Sequence, residues 1–210
     1  MSLISNRSSM VLFHNENGHR SQRVRIVLLE KGISCDLEPL TEENIPKEIL
    51  ELNPDGHLPF LVDRELSLYH SELIVEYLDE RFPHPPLLPV YPVARAQFRL
   101  ILLRIEEEWS KNMDVLEDLS STKSQINKAR SHLQKNISNS LSLFDNKKFF
   151  RSDEFSVLDS VITPILLRLD YHQIKVPNKK GSKPMFDYIE RMQNLPSVKN
   201  SLTSLEIELL

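Results

Sequence analysis

HLPFLVDRELSLYHSELIVEYL, residues 57–78, is the stretch whose reading decides the fold. Two short runs, Pro59-Phe60-Leu61-Val62-Asp63 and Glu65-Leu66-Ser67-Leu68-Tyr69, are apolar and β-prone. A tight turn at Asp63-Arg64 separates them, which predicts a β-hairpin. Ser71 stands where a helix should begin, because a serine hydroxyl can satisfy an orphan amide of the first turn. That helix is expected through Glu72 to about Arg81, with Leu73, Ile74, Tyr77 and Leu78 turned inward.

Upstream, Met10-Val11-Leu12-Phe13 is a short apolar strand followed by a loop from His14 to Arg20. In SQRVRIVLLEKG, Val24, Val27, Leu28 and Lys31 share one stripe at helical spacing, and Gly32 is placed to end the helix in a left-handed turn. Ile33, Cys35 and Leu37 then alternate with polar residues, a strand signal that makes Cys35 a buried strand residue. Strand, helix, strand in this order favours a parallel pair with a right-handed crossover. Glu42 to Leu52 reads as a short helix interrupted by Pro46 and closed at Asn53-Pro54-Asp55-Gly56. The first 80 residues therefore predict βαβ–α–ββα.

Downstream the character changes to all helix. Phe98, Ile101, Leu102, Ile105, Trp109, Met113 and Leu116 recur at steps of three and four, as do Ile126, Ala129, Leu133, Ile137, Leu141 and Phe144. Ser156-Val157-Leu158-Asp159 resembles a capping box with Asp159 in the usual Glu place, opening an apolar helix that Pro164 should kink. Lys183 to Met192 and Pro196 to Leu202 read as shorter closing helices. The expected organisation is an α/β domain over 9–83, a connector over 84–91 and an all-helical domain over 92–210. The connector region RFPHPPLLPVYP, residues 81–92, holds five of the thirteen prolines.

Composition narrows the function classes. Hydrophobic residues are 40% and charged residues 27% of the 210, enough for packed cores. The net charge of -4 offers no basic face for nucleic acid, and the lysines of Asn178-Lys179-Lys180-Gly181-Ser182-Lys183 read as a solvated loop. Cys35 is the single cysteine, so no intrachain disulfide can form. With no apolar leader in MSLISNRSSM and no long apolar run, a soluble intracellular protein without membrane contact is expected. The seven histidines show no metal-ligand spacing, and no Gly-rich phosphate loop is present, so neither a metal nor a cofactor is expected.

The element order resembles the glutathione transferase fold, in which a thioredoxin-like N-terminal domain precedes a helical bundle. Leu58-Pro59 stands where that fold places a cis-proline, Tyr69-His70-Ser71 where it places a Glu-Ser dipeptide, and Ser156 with Asp159 where it caps its central C-domain helix. A narrower resemblance lies in VRIVLLEKG, LVDREL, EYLDERFPHPPLLPVYPVAR and SDEFSVLD, which are similar to the stringent starvation protein A family. That resemblance implies a bacterial, cytoplasmic homodimer that associates with RNA polymerase holoenzyme and its sigma factor, is nucleoid-associated through polymerase, and regulates transcription under stress. The homodimer is the expected form, with a heterodimer with a paralogue as the alternative, and direct DNA binding is not expected. It places the partner-binding surface on Phe82, Pro83, His84, Pro85, Pro86 and Tyr91, with Leu87 and Leu88 packed inward.

The transferase chemistry is expected to be vestigial. The nucleophile position of several transferase classes falls on Gly18, with Ser21 and His14 nearby, and Ser21 reads as a helix N-cap. Ser71 retains the hydroxyl that holds a glutamyl carboxylate at a helix N-terminus, whereas His70 replaces the Glu that would meet the ammonium. Gly18, Ser21, Leu58, Pro59, His70 and Ser71 are thus the vestigial glutathione positions, with no catalytic residue among them. The competing reading is a glutathione-dependent transferase or peroxidase using Ser21 or Cys35; fold alone supports it weakly.

Overall fold

The computed structural model describes residues 9–145, 147–177 and 181–210, so Lys179 and Lys180 of the lysine cluster lie outside the described residues. Two compact units divide the chain. The first ends at Pro85 and takes in Asn200–Glu208; the second runs from Pro86 to Lys199 with Leu209–Leu210.

In the first unit, β1 (Val11–His14), α1 (His19–Glu30) and β2 (Asp36–Pro39) form the βαβ element. A 3-10 turn (Glu42–Asn44) and α2 (Lys47–Leu52) follow, parted by Pro46. The hairpin is β3 (Phe60–Asp63) and β4 (Leu66–Tyr69), and α3 is Ser71–Arg81. Strand order is β2-β1-β3-β4, with β1 parallel to β2 and antiparallel to β3, and β3 antiparallel to β4. The apolar β1 and β3 lie in the middle and are buried throughout, while β2 is an exposed edge. Val11, Phe13, Phe60 and Val62 pack with Ile49 on one face. Alternation along β1 sends the buried Leu12 to the other.

The local signals were right about type and inexact about position. Gly18 occupies the α1 N-cap, so Ser21 lies inside the first turn and is not the cap. Its hydroxyl instead accepts the Asn15 amide at 3.0 Å. The α3 cap position belongs to His70, at φ 67, and Ser71 is the first helical residue. Leu73 consequently faces out, and the inward arc is Ile74, Val75 and Leu78. The hairpin turn is Arg64-Glu65, one residue later than expected, with Arg64 at φ 58. Cys35 precedes β2 and is half-buried, and Leu37 is exposed, because an edge strand has little covering its faces. Gly32 does end α1, at φ 62, and Leu58-Pro59 is cis.

The second unit begins with α4 (Pro92–Ile105), which passes through a π-helical turn (Glu106–Ser110) into α5 (Lys111–Glu117). The wide turn leaves the Glu108 carbonyl to the side-chain amides of Asn112 and Asn136, at 2.8 and 2.9 Å. α6 (Lys123–Asn139), α7 (Val157–Leu167) and α8 (Lys183–Gln193) follow. Trp109, Met113, Leu133, Ile137, Ile162, Met185 and Tyr188 are among its buried members. The capping box is present. Asp159 Oδ2 accepts the Ser156 amide and hydroxyl, both at 2.9 Å, and Oδ1 accepts the Phe150 amide at 2.8 Å and the Tyr188 hydroxyl at 2.9 Å. Burial pushes the Asp159 carboxyl upward against those four donors.

The division between units falls within α9 (Pro196–Ser201), after which α10 (Ser204–Leu209) forms. α10 was not legible in the sequence, and its contacts show why it forms. Glu206 pairs with Arg25 at 2.7 Å, with side chains 0% and 2% exposed. Arg25 also donates to the Ser201 carbonyl at 2.8 Å, and Thr203 donates to the Glu16 carbonyl at 2.9 Å. The C-terminal segment is thus tied to α1 and to the loop before it. Among the described residues no helix is long and apolar enough to cross a membrane.

Candidate functional site

Two places in the fold gather the residues singled out in the sequence. The first is the corner where β1 enters α1 and β4 enters α3. A Cβ at Gly18 would meet Asn15 Cβ at 3.3 Å and Cγ at 3.5 Å, so the nucleophile position is narrow as well as bare. Ser21 is buried and its oxygen is engaged by Asn15. His14 is buried too, with Arg25 Nη1 3.1 Å from its Nδ1. A guanidinium only donates, so Nδ1 accepts from Arg25, and the Asn15 carbonyl also lies 3.3 Å from Nδ1. Burial and then the Arg25 charge hold His14 down to about 4, leaving it neutral near pH 7. Cys35 is pushed up to about 12 by burial and then by Asp36, so it is a thiol with no thiolate character.

The Ser71 hydroxyl sits at the start of α3. It is fully buried and accepts Arg23 Nη1 at 3.1 Å, and Glu72 Oε2 lies 3.4 Å away. Glu72 pairs with Arg20 at 2.7 Å. Burial alone would raise the Glu72 carboxyl, but Arg23 and Arg20 outweigh it and hold it at about 2. The chain therefore supplies its own carboxylate beside the α3 N-terminus, held between two arginines. His70 is exposed, with its ring 4.9 Å from His57 and 5.0 Å from Tyr69. The His57 partnership was missed in the sequence, where the two histidines are thirteen residues apart. No group of three or more His, Cys, Asp or Glu among the described residues could hold a metal.

The second place is the proline-rich connector. Pro83, His84, Pro85 and Pro86 are exposed in succession, Phe82 is half-buried, and Tyr91 is 79% exposed at the N-cap of α4. Leu87 and Leu88 are buried, and the Leu87 carbonyl accepts the Val157 amide at 3.0 Å. His84-Pro85 is cis. Lys31 Nζ reaches Asp79 at 2.8 Å and donates to the carbonyls of Phe82 and Pro85, both at 2.7 Å. Its place on an otherwise apolar stripe was visible in the sequence; its partners were not. Residues 86–90 of the connector also line an apolar groove of about 790 Å³ with Phe98, Ile101, Phe150 and Phe155.

Known proteins place this geometry in a family. Residues 12–86 match the glutathione S-transferase N-terminal domain. The Tau class glutathione S-transferase MiGSTU from mango, Mangifera indica, superposes with a TM-score of 0.79 at 21% identity, covering 97% of this chain and 96% of that one. The stringent starvation protein A homolog of Coxiella burnetii is 41% identical over 203 residues, 97% of this chain and 96% of the relative. That of Haemophilus ducreyi is 42% identical over 197 residues, 93% of this chain and 91% of the relative. With such identity over nearly its whole length, this chain belongs to the stringent starvation protein A family, built on a glutathione transferase-like fold.

Proposed function

We propose that the protein is a cytoplasmic regulator of transcription in starvation and stress, acting by contact with RNA polymerase holoenzyme and its sigma factor and without catalysis. The observation that carries this reading is the run of exposed Pro83, His84, Pro85 and Pro86, with Tyr91 beyond it. Such a surface loses little conformational entropy on docking, so contacts made there convert efficiently into affinity. The net charge of -4 favours a protein partner over the DNA backbone. The filled corner around Gly18, Ser21 and Ser71 supports a protein without transferase chemistry, since an engaged hydroxyl and an undissociated thiol are poor nucleophiles.

The same reading makes the protein a homodimer through α4. Val93, Leu100 and Leu103 are exposed apolar residues spaced seven and three apart, which puts them on one helical stripe. A second copy covering that stripe should bury well over ~1,000 Å² in total. A paralogue with a matching stripe would give a heterodimer instead.

The test is retention of purified polymerase holoenzyme by the immobilised protein, against a Pro83→Ala/His84→Ala/Pro85→Ala variant. Retention by the wild type and loss by the variant are expected. No retention by the wild type would sink the reading. The competing enzyme reading rests on the fold, and turnover of a generic electrophile with glutathione would establish it instead.

A further inference from the structure

Lys31 stands apart from every other lysine in the described chain because its side chain is fully buried. An ammonium carries three donors and no acceptor. Here three acceptors surround it: Asp79 Oδ1 at 2.8 Å, the Phe82 carbonyl at 2.7 Å and the Pro85 carbonyl at 2.7 Å. The two carbonyls bracket Pro83 and His84, so one charge at the end of α1 grips the exposed run from beneath at both ends. A buried ammonium with all its donors used is expensive to assemble and is retained only where its partners are fixed. Prolines stiffen φ, but they leave open which way the run faces. The α1–α3 ion pair answers that question.

We infer that Lys31, held by Asp79, is a positioning residue that presents Pro83-His84-Pro85 to the protein partner. The inference rests on the partner surface proposed above. Lys31 touches no partner itself; it acts through the carbonyls of residues 82 and 85. Removing its donors leaves the prolines in place and frees their orientation, so docking must then reorder the run at a cost in affinity.

The test measures holoenzyme affinity for the full chain and for four variants: Lys31→Met, Lys31→Met/Asp79→Asn, Pro83→Ala/His84→Ala/Pro85→Ala, and that triple variant carrying Lys31→Met as well. The double variant also removes the carboxylate that Lys31→Met would strand. Affinity should fall roughly tenfold or more in the first two variants, as for other losses of preorganisation. The His84 ring signals in ¹H–¹³C spectra should move toward those of an unstructured peptide, which a generally weakened fold would not single out. In the triple-alanine background Lys31→Met should cost nothing further, because both act on one surface. Wild-type affinity in a folded double variant overturns the inference. So does a Lys31 effect of undiminished size in the triple-alanine background. Failure of the double variant to fold overturns it as well, since Lys31 would then be a core residue. If the triple-alanine variant binds like the wild type, the partner surface itself is wrong, a distinguishable failure.

Discussion

The Arg25–Glu206 pair offers the sharpest check on how the first unit is closed. Both side chains are essentially inaccessible, and their charged atoms are 2.7 Å apart. Replacing Glu206 by alanine leaves a buried guanidinium without its countercharge, a change that typically costs ~3–5 kcal/mol. Three neutral acceptors soften the loss, because Arg25 keeps His14 Nδ1 at 3.1 Å, the Asn15 carbonyl at 3.3 Å and the Ser201 carbonyl at 2.8 Å. The expected cost is therefore at the lower end, about 3 kcal/mol. At ~2–4 °C per kcal/mol for a chain of this size, that is a fall in Tm of roughly 6–12 °C. Thermal unfolding followed by circular dichroism gives the size of the effect. Amide exchange over β1, α1 and the loop between them assigns it to the first unit. Arg25→Met/Glu206→Leu should recover at least half of the loss, since no charge is then left unpaired. A Glu206→Ala cost below about 1 kcal/mol, the range of an ordinary surface change, would refute the reasoning. So would a double variant whose cost is the sum of the two singles.

Three further outcomes are expected. His14 is held at about 4 against an ordinary 6.5, so the unfolded chain binds more protons between those values; stability should fall as pH drops through that window, and His14→Gln should flatten it in acid titrations of Tm. Light scattering should show the proposed dimer for the wild type and a monomer of unchanged circular dichroism for Leu100→Glu/Leu103→Glu; a monomeric wild type refutes the dimer, and a variant that stays dimeric places the interface elsewhere. Calorimetry should show no micromolar glutathione affinity, because Ser71 is engaged by Arg23 and Glu72 fills the carboxylate role. Arg23→Ala should then increase any weak binding, whereas tight wild-type binding would contradict the filled site.

The sequence by itself determined what depends on neighbours a few residues apart. The β3–β4 hairpin, the α1 stripe, the capping box at Ser156 and Asp159 and the change to all-helical character are periodic or local signals, and local sterics and hydrogen bonds produce them. Even so, the edges drifted by one residue at Ser71 and at the Arg64-Glu65 turn, because several nearby residues can serve a cap or a turn about equally well. The tertiary structure decided what depends on partners far along the chain. Lys31 looked like the end of a stripe until a carbonyl 54 residues away made it a tether. Arg25 and Ser71 find their partners, Glu206 and Arg23, 181 and 48 residues away, where no local signal couples them. A buried charge carries no periodicity; it becomes legible only when folding brings its countercharge to it.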